Sequence, residues 1–167
     1  MKVVFSHGKE SGPWGAKITH LASIAKAYGY QVESIDYRAS LDPESRVERL
    51  LSVLTDEDTA DIVLVGSSMG GYVSTVAAQK LQPRGLFLMA PAFYLSGYAV
   101  QNPQCPACLV SIVHGWRDDV VPADNAIAFA RANHCDLHII DSDHGLGDSL
   151  DYVGKVFADF MAKCAVK

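Results

Sequence analysis

Ile62-Val63-Leu64-Val65-Gly66-Ser67-Ser68-Met69-Gly70-Gly71 is the stretch that decides the architecture of this chain. It opens with consecutive apolar residues, mostly β-branched, and shows no polar alternation. A strand reads that way when both of its faces are covered, as in the middle of a parallel sheet. A helix follows at once, predicted from about Met69 to Leu81. Between strand and helix lies the pattern G-x-S-x-G, centred on Ser68. A serine held at the tip of so sharp a turn needs neighbours nearly free of side chain, and Gly66 and Gly70 supply them. Ser68 also opens the helix, where unpaired N–H groups and the helix dipole favour negative charge. Ser67 offers a competing hydroxyl, but only Ser68 has glycine two residues away on both sides.

Outward from this point the chain alternates β-branched runs with stretches of helical period. Val3–Phe5 predicts a first strand, followed by a helix from about Ala16 to Tyr28 with Ile18, Leu21, Ile24, Ala25 and Tyr28 on one face. Gly29 stops that helix because it tolerates positive φ. Val32–Tyr37 predicts the second strand. A helix then begins near Pro43 with Asp42 as N-cap and Val47, Leu50, Leu51 and Leu54 as its buried face. Further strands are expected at Gly85–Met89, Leu109–Val113 and Leu137–Ile140, with helices from about Ala123 to Asn133 and from about Leu150 to Cys164. The pattern predicts a single α/β domain over 1–167: a doubly wound, mainly parallel six-stranded sheet with helices on both faces. Val32–Tyr37 and Leu137–Ile140 are its expected edges. The one long irregular stretch, Pro91–Ala107, carries Phe93, Tyr94 and Tyr98 and is predicted to overhang the carboxyl ends of the strands, where such sheets bind ligands.

The chain has 167 residues and a net charge of −5, with Lys and Arg scattered singly. No basic stripe is present to neutralise phosphates, and no polybasic segment to hold a membrane, so neither nucleic acid nor membrane is expected as a partner. The opening apolar run is too short for a signal peptide, and a cytoplasmic location is expected. Cys105-Pro106-Ala107-Cys108 matches C-x-x-C, but it leads into a strand instead of opening a helix and has no second ligand pair. Reduced thiols in a loop are the expected reading, with no metal site.

A serine nucleophile needs a base, because its hydroxyl is almost wholly protonated at neutral pH. Three segments bear on this: Phe5-Ser6-His7-Gly8-Lys9, the turn at Ser68, and His114-Gly115-Trp116-Arg117-Asp118-Asp119-Val120-Val121-Pro122. Together with Asp141-Ser142-Asp143-His144-Gly145 they resemble the α/β-hydrolase superfamily, and its compact bacterial serine esterases most of all. The resemblance spans nearly the whole chain. It implies a triad of Ser68, Asp118 and His144 in the chain order this fold uses, with His144 as base and Asp118 as its orienting acid. Asp119 is the alternative acid. The resemblance also implies an oxyanion hole from the backbone N–H of Met69 and one from the loop after the first strand, at Lys9 or Glu10.

His7 and Gly8 beside that loop, with Trp116, Phe93 and Tyr94, are expected to border the substrate pocket. The histidines of H-G pairs, His7 and His114, are otherwise read as shaping their loops, and His20, His134 and His138 as structural. Asp143 is expected to cap the turn next to His144. The implied activity is cleavage of a small carboxylic ester or thioester through an acyl-enzyme, with no cofactor. An acyl transferase or peptidase with the same triad, or a non-catalytic binding protein on this fold, are the alternatives. No inserted helical cap is foreseen, which predicts an open site suited to short acyl groups. Serine at the turn, in place of aspartate or cysteine, separates the chain from haloalkane, epoxide and dienelactone hydrolases of the same fold.

Overall fold

The computed structural model describes residues 1–166. Among them, six strands form one fully parallel sheet in the order β2-β1-β3-β4-β5-β6. The strands are β1 (Lys2–Ser6), β2 (Gln31–Ile35), β3 (Ile62–Ser67), β4 (Gly85–Met89), β5 (Leu109–Gly115) and β6 (Asp136–Ile140). The helices are α1 (Ala16–Ala27), α2 (Pro43–Val53), α3 (Met69–Leu81), α4 (Ala123–Asn133) and α5 (Leu150–Ala165).

The two apolar faces of the sheet define two cores. Val3, Phe5, Val63, Val65 and Phe87 face α1 and α5, where Leu21 and Phe157 meet them. Val4, Leu64, Leu86 and Ile112 face α2, α3 and α4, where Leu50, Val73 and Phe129 meet them. Every residue of β3 is therefore buried, which is why its sequence lacks alternation. β2 and β6 are the edges and are only partly covered. Asp42 caps α2 as expected, accepting from the Ser45 N–H at 2.7 Å, and Gly29 takes φ +81° after α1. Among the expected buried positions, Tyr28 differs: it lies just past the end of α1, stacked on Tyr30, and is 51 % exposed.

β1 lies between β2 and β3, so successive connections leave it in opposite directions. The crevice outside the carboxyl ends of β1 and β3 is thus the point at which an open α/β sheet binds ligands. No helix stands between β4 and β5 among the described residues, so the fold is capless. The long loop that joins them lies at the carboxyl ends of the strands, as expected, with the Ala92 N–H donating to the Ser68 carbonyl. It is drawn down on α2 and α3: the Tyr72 hydroxyl donates to Glu44 at 2.7 Å and accepts from the Val100 N–H at 3.0 Å. Tyr98 packs edge-on against Tyr72 with centroids 4.7 Å apart. Burial pushes the Tyr72 hydroxyl up to about 12, which keeps it a donor. Among the described residues no helix is long and apolar enough to cross a membrane.

Candidate active site

The turn between β3 and α3 is shaped by what its glycines leave out. A Cβ on Gly66 would lie 2.3 Å from the Gly70 carbonyl oxygen, and one on Gly70 would lie 2.0 Å from the Ser6 carbonyl oxygen. Only with both absent can the start of α3 press against the end of β1. Ser68 sits at φ 55°, ψ −121°, a conformation that costs a non-glycine residue roughly 1–3 kcal/mol and persists only when the surroundings over-determine it. Here the Ser68 N–H donates to the Met89 carbonyl at 3.0 Å, and the Ser68 carbonyl accepts from the Ala92 N–H at 3.0 Å.

Two other loops bring their side chains to this serine. His144 Nε2 lies 3.0 Å from Ser68 Oγ, and His144 Nδ1 donates to Asp118 Oδ2 at 2.7 Å. Asp118 has no exposed side-chain surface, and its other oxygen accepts from the N–H groups of Val120 and Val121 at 2.9 and 2.8 Å. Asp119 is exposed and takes no part. Asp143 caps the turn, accepting from the Leu146 N–H at 3.0 Å.

Asp118 has a further neighbour. His114 Nε2 lies 3.0 Å from Asp118 Oδ2 and 2.9 Å from the Val121 carbonyl. Both are acceptors, so the proton is on Nε2. Burial holds the pKa of this imidazole below its ordinary value, which keeps it neutral. His114 therefore donates to the Val121 carbonyl and packs its ring nitrogen against the carboxylate that orients His144. Nothing in its local sequence marks that placement.

The loop after β1 is fixed from a distance. Arg46 of α2 is 1 % exposed, and its guanidinium donates to the carbonyls of His7, Gly8, Lys9 and Ser40 at 3.3, 3.1, 3.0 and 2.8 Å. His7 Nδ1 also donates to the Gly8 carbonyl at 2.8 Å, while its Nε2 accepts from the Tyr37 N–H at 3.0 Å. Among the described residues the peptide bonds are all trans, so the Lys9 N–H points opposite to the Gly8 carbonyl, away from Arg46. Arg46 is a site residue that sequence reasoning missed. Its only sequence signal is a charged residue at a helix position flanked by the apolar stripe.

A cleft of about 390 Å³ opens in front of Ser68, bordered by Gly8, Lys9, Lys17, Val120 and His144. Gly8 and Lys9 stand where the sequence places them. The other expected pocket residues do not line this cleft. His7 is fully buried with both ring nitrogens engaged. Phe93 is core, stacked on Phe129 with centroids 4.2 Å apart. Tyr94 packs against Phe93, and Trp116 projects outward, 60 % exposed. Aromatic composition alone cannot separate core from pocket, and here the core took it. A larger groove of about 470 Å³ lies between β6 and α5, lined by Ser111, His138 and Tyr152 among others. Cys105, Cys108 and Cys135 are free, half-buried thiols, and among the described residues no cluster of His, Cys, Asp or Glu is placed to hold a metal ion.

The parallel sheet and the strained serine turn between β3 and α3 are those of the α/β-hydrolase superfamily. Comparison with known proteins agrees. A hydrolase-superfamily protein from Xanthomonas campestris pv. campestris is 31 % identical, covers 97 % of this chain and 98 % of its own, and superposes with a TM-score of 0.89. Est1E from Butyrivibrio proteoclasticus shares the fold at 19 % identity, covering 99 % of this chain and 88 % of its own with a TM-score of 0.84. Alpha/beta hydrolase domain-containing protein 10 from mouse does so at 18 % identity, covering 98 % and 90 % with a TM-score of 0.81. No curated protein matches in sequence. The profile of the uncharacterised protein family UPF0227 matches residues 2–102, more than half of the chain. The chain belongs to that family, within the α/β-hydrolase superfamily.

Proposed function

We propose that this protein is a serine hydrolase that cleaves a small carboxylic ester or thioester through an acyl-enzyme. The observation that carries the reading is the unbroken path from Ser68 Oγ to His144 Nε2 at 3.0 Å and from His144 Nδ1 to Asp118 at 2.7 Å. Ser68 Oγ attacks the substrate carbonyl carbon as its proton passes to His144 Nε2, and Asp118 stabilises the imidazolium. The oxyanion is received by two backbone donors. Met69 is the first residue of α3, so its N–H has no intrahelical acceptor. The Lys9 N–H is turned away from Arg46, on a residue that borders the cleft. Collapse expels the alcohol or thiol with the proton from His144. Water then attacks the acyl-enzyme by the same proton path and releases the carboxylic acid. Est1E has been solved with ferulic acid bound, a carboxylic acid of the kind such a step releases.

The test is hydrolysis of p-nitrophenyl acetate and butyrate by wild type, Ser68→Ala and Ser67→Ala. Turnover by wild type and Ser67→Ala, with loss of roughly 10³-fold or more in Ser68→Ala, supports the reading. Folded wild-type protein that hydrolyses neither ester, or a Ser68→Ala variant as active as wild type, overturns it.

A further inference from the structure

Lys17, in the first turn of α1, borders the same cleft as Ser68 and His144. Its ammonium makes one hydrogen bond, to the His144 carbonyl at 3.3 Å, and among the described residues it forms no ion pair. The first turn of α1 supplies no acidic residue. Asp118 and Asp143 are near enough to attract it, yet neither pairs with it: Asp118 is buried against His144, and Asp143 caps the turn at Leu146. A cation half-buried without a carboxylate of its own is costly, and burial accordingly pushes the Lys17 pKa down. Lysines without a functional reason turn their ammonium to solvent, and this one faces a catalytic cleft.

We infer that this cleft selects esters bearing a second, free carboxylate, which Lys17 binds while Ser68 attacks the ester carbonyl. Two cations, Lys9 and Lys17, and one carboxylate, Glu10, line the cleft, while Asp118 presents no exposed surface to it; the net single positive charge matches a monoanion better than a phosphate dianion. The cleft volume of about 390 Å³ keeps the two functional groups only a few bonds apart. The kinetic arm of the test rests on the serine-hydrolase reading above. A binding arm does not.

Two substrate pairs probe the two halves of an ester. The mono-p-nitrophenyl ester of glutaric acid is compared with p-nitrophenyl valerate, and 4-acetoxybenzoate with its methyl ester. Wild type is expected to prefer the anionic member of at least one pair in kcat/KM. Lys17→Met should lose that preference by roughly 10- to 100-fold, the range of a charge-assisted hydrogen bond, read as the anionic-to-neutral ratio of kcat/KM so that any loss through the His144 backbone cancels, with Lys17→Arg restoring much of it. Equal losses on neutral and anionic esters would show that Lys17 only holds the His144 backbone, and no Lys17-dependent preference in either pair overturns the proposal. In the binding arm, calorimetry measures glutarate and 4-hydroxybenzoate on Ser68→Ala and on Ser68→Ala/Lys17→Met. Binding of one acid that weakens about tenfold or more without Lys17 supports the anion site even if no ester is turned over. Absence of binding by both, or binding indifferent to Lys17, contradicts it.

Discussion

Two loops meet at the cleft, and they are held in opposite ways. The turn around Ser68 is shaped by its own residues: Gly66 and Gly70 remove the atoms that would clash, and the strain at Ser68 is held by bonds to Met89 and Ala92. The loop from His7 to Lys9 has no such internal logic. Its carbonyls are gathered by Arg46, some 40 residues further along the chain, and by His7 folding back on Gly8. The first loop is rigid by omission and the second by long-range attachment. The lesson is that one half of a candidate active site can be written in a pentapeptide while the other half is written in a neighbouring helix.

The sharpest way to break the first loop is Gly70→Ala. With a Cβ placed 2.0 Å from the Ser6 carbonyl oxygen, the start of α3 must move off β1. We expect a stability loss of about 3 kcal/mol or more and abolished turnover, read by thermal melting and ester hydrolysis. Retained stability with full activity would mean that the turn is not determined locally.

Arg46→Met tests the second loop and should act on rate more than on folding. Without the guanidinium the Gly8–Lys9 peptide is free to rotate. Loss of one aligned oxyanion donor costs roughly 10²- to 10³-fold in kcat, so we expect a fall in kcat of at least about tenfold that exceeds any rise in KM. Arg46→Lys, which keeps the charge but not the fork, should recover only part of it. An unchanged kcat in Arg46→Met would detach the loop from the chemistry.

The smallest expected effect is on pH. Burial holds both His7 and His114 below the ordinary value of 6.5. The unfolded chain then takes up more protons than the folded one as pH falls through 6.5, so stability is full above that value and is lost below it. The loss is at most about 1.4 kcal/mol per pH unit for each histidine that remains neutral. Melting temperature should fall between pH 7 and 5, and His7→Gln and His114→Gln should each flatten the slope while lowering stability at neutral pH. A slope unchanged by both substitutions would contradict the neutral, proton-specific bonding of these rings.

The same contrast explains what was legible in the sequence. β3, Ser68 and the α3 start were readable because burial on both faces and a tight turn leave local signatures. Asp118 and His144 were readable because their segments follow β5 and β6 in a fixed order, and the structure brings both to hydrogen-bond distance of the chain they were expected to serve. Arg46 and the place of His114 beside Asp118 were not, because each meets a backbone or carboxylate that only the fold brings near. Phe93, Tyr94 and Trp116 were expected beside the substrate and lie elsewhere. An aromatic residue in a loop carries no mark of whether it faces solvent, core or cleft, and Phe93 found Phe129. The strand ends moved by one or two residues, with β2 ending at Ile35 and β5 running to Gly115, because pairing with a neighbour, not composition, ends a parallel strand.

The account stands or falls on whether Ser68 is an activated nucleophile. A fluorophosphonate probe, followed by proteolysis and mass mapping of the adduct, measures that without knowledge of the substrate. The account predicts a single covalent adduct on Ser68 in wild type, unaffected by Ser67→Ala and strongly slowed by His144→Ala. Folded wild-type protein that takes up no probe, or carries the adduct on another residue, would contradict it.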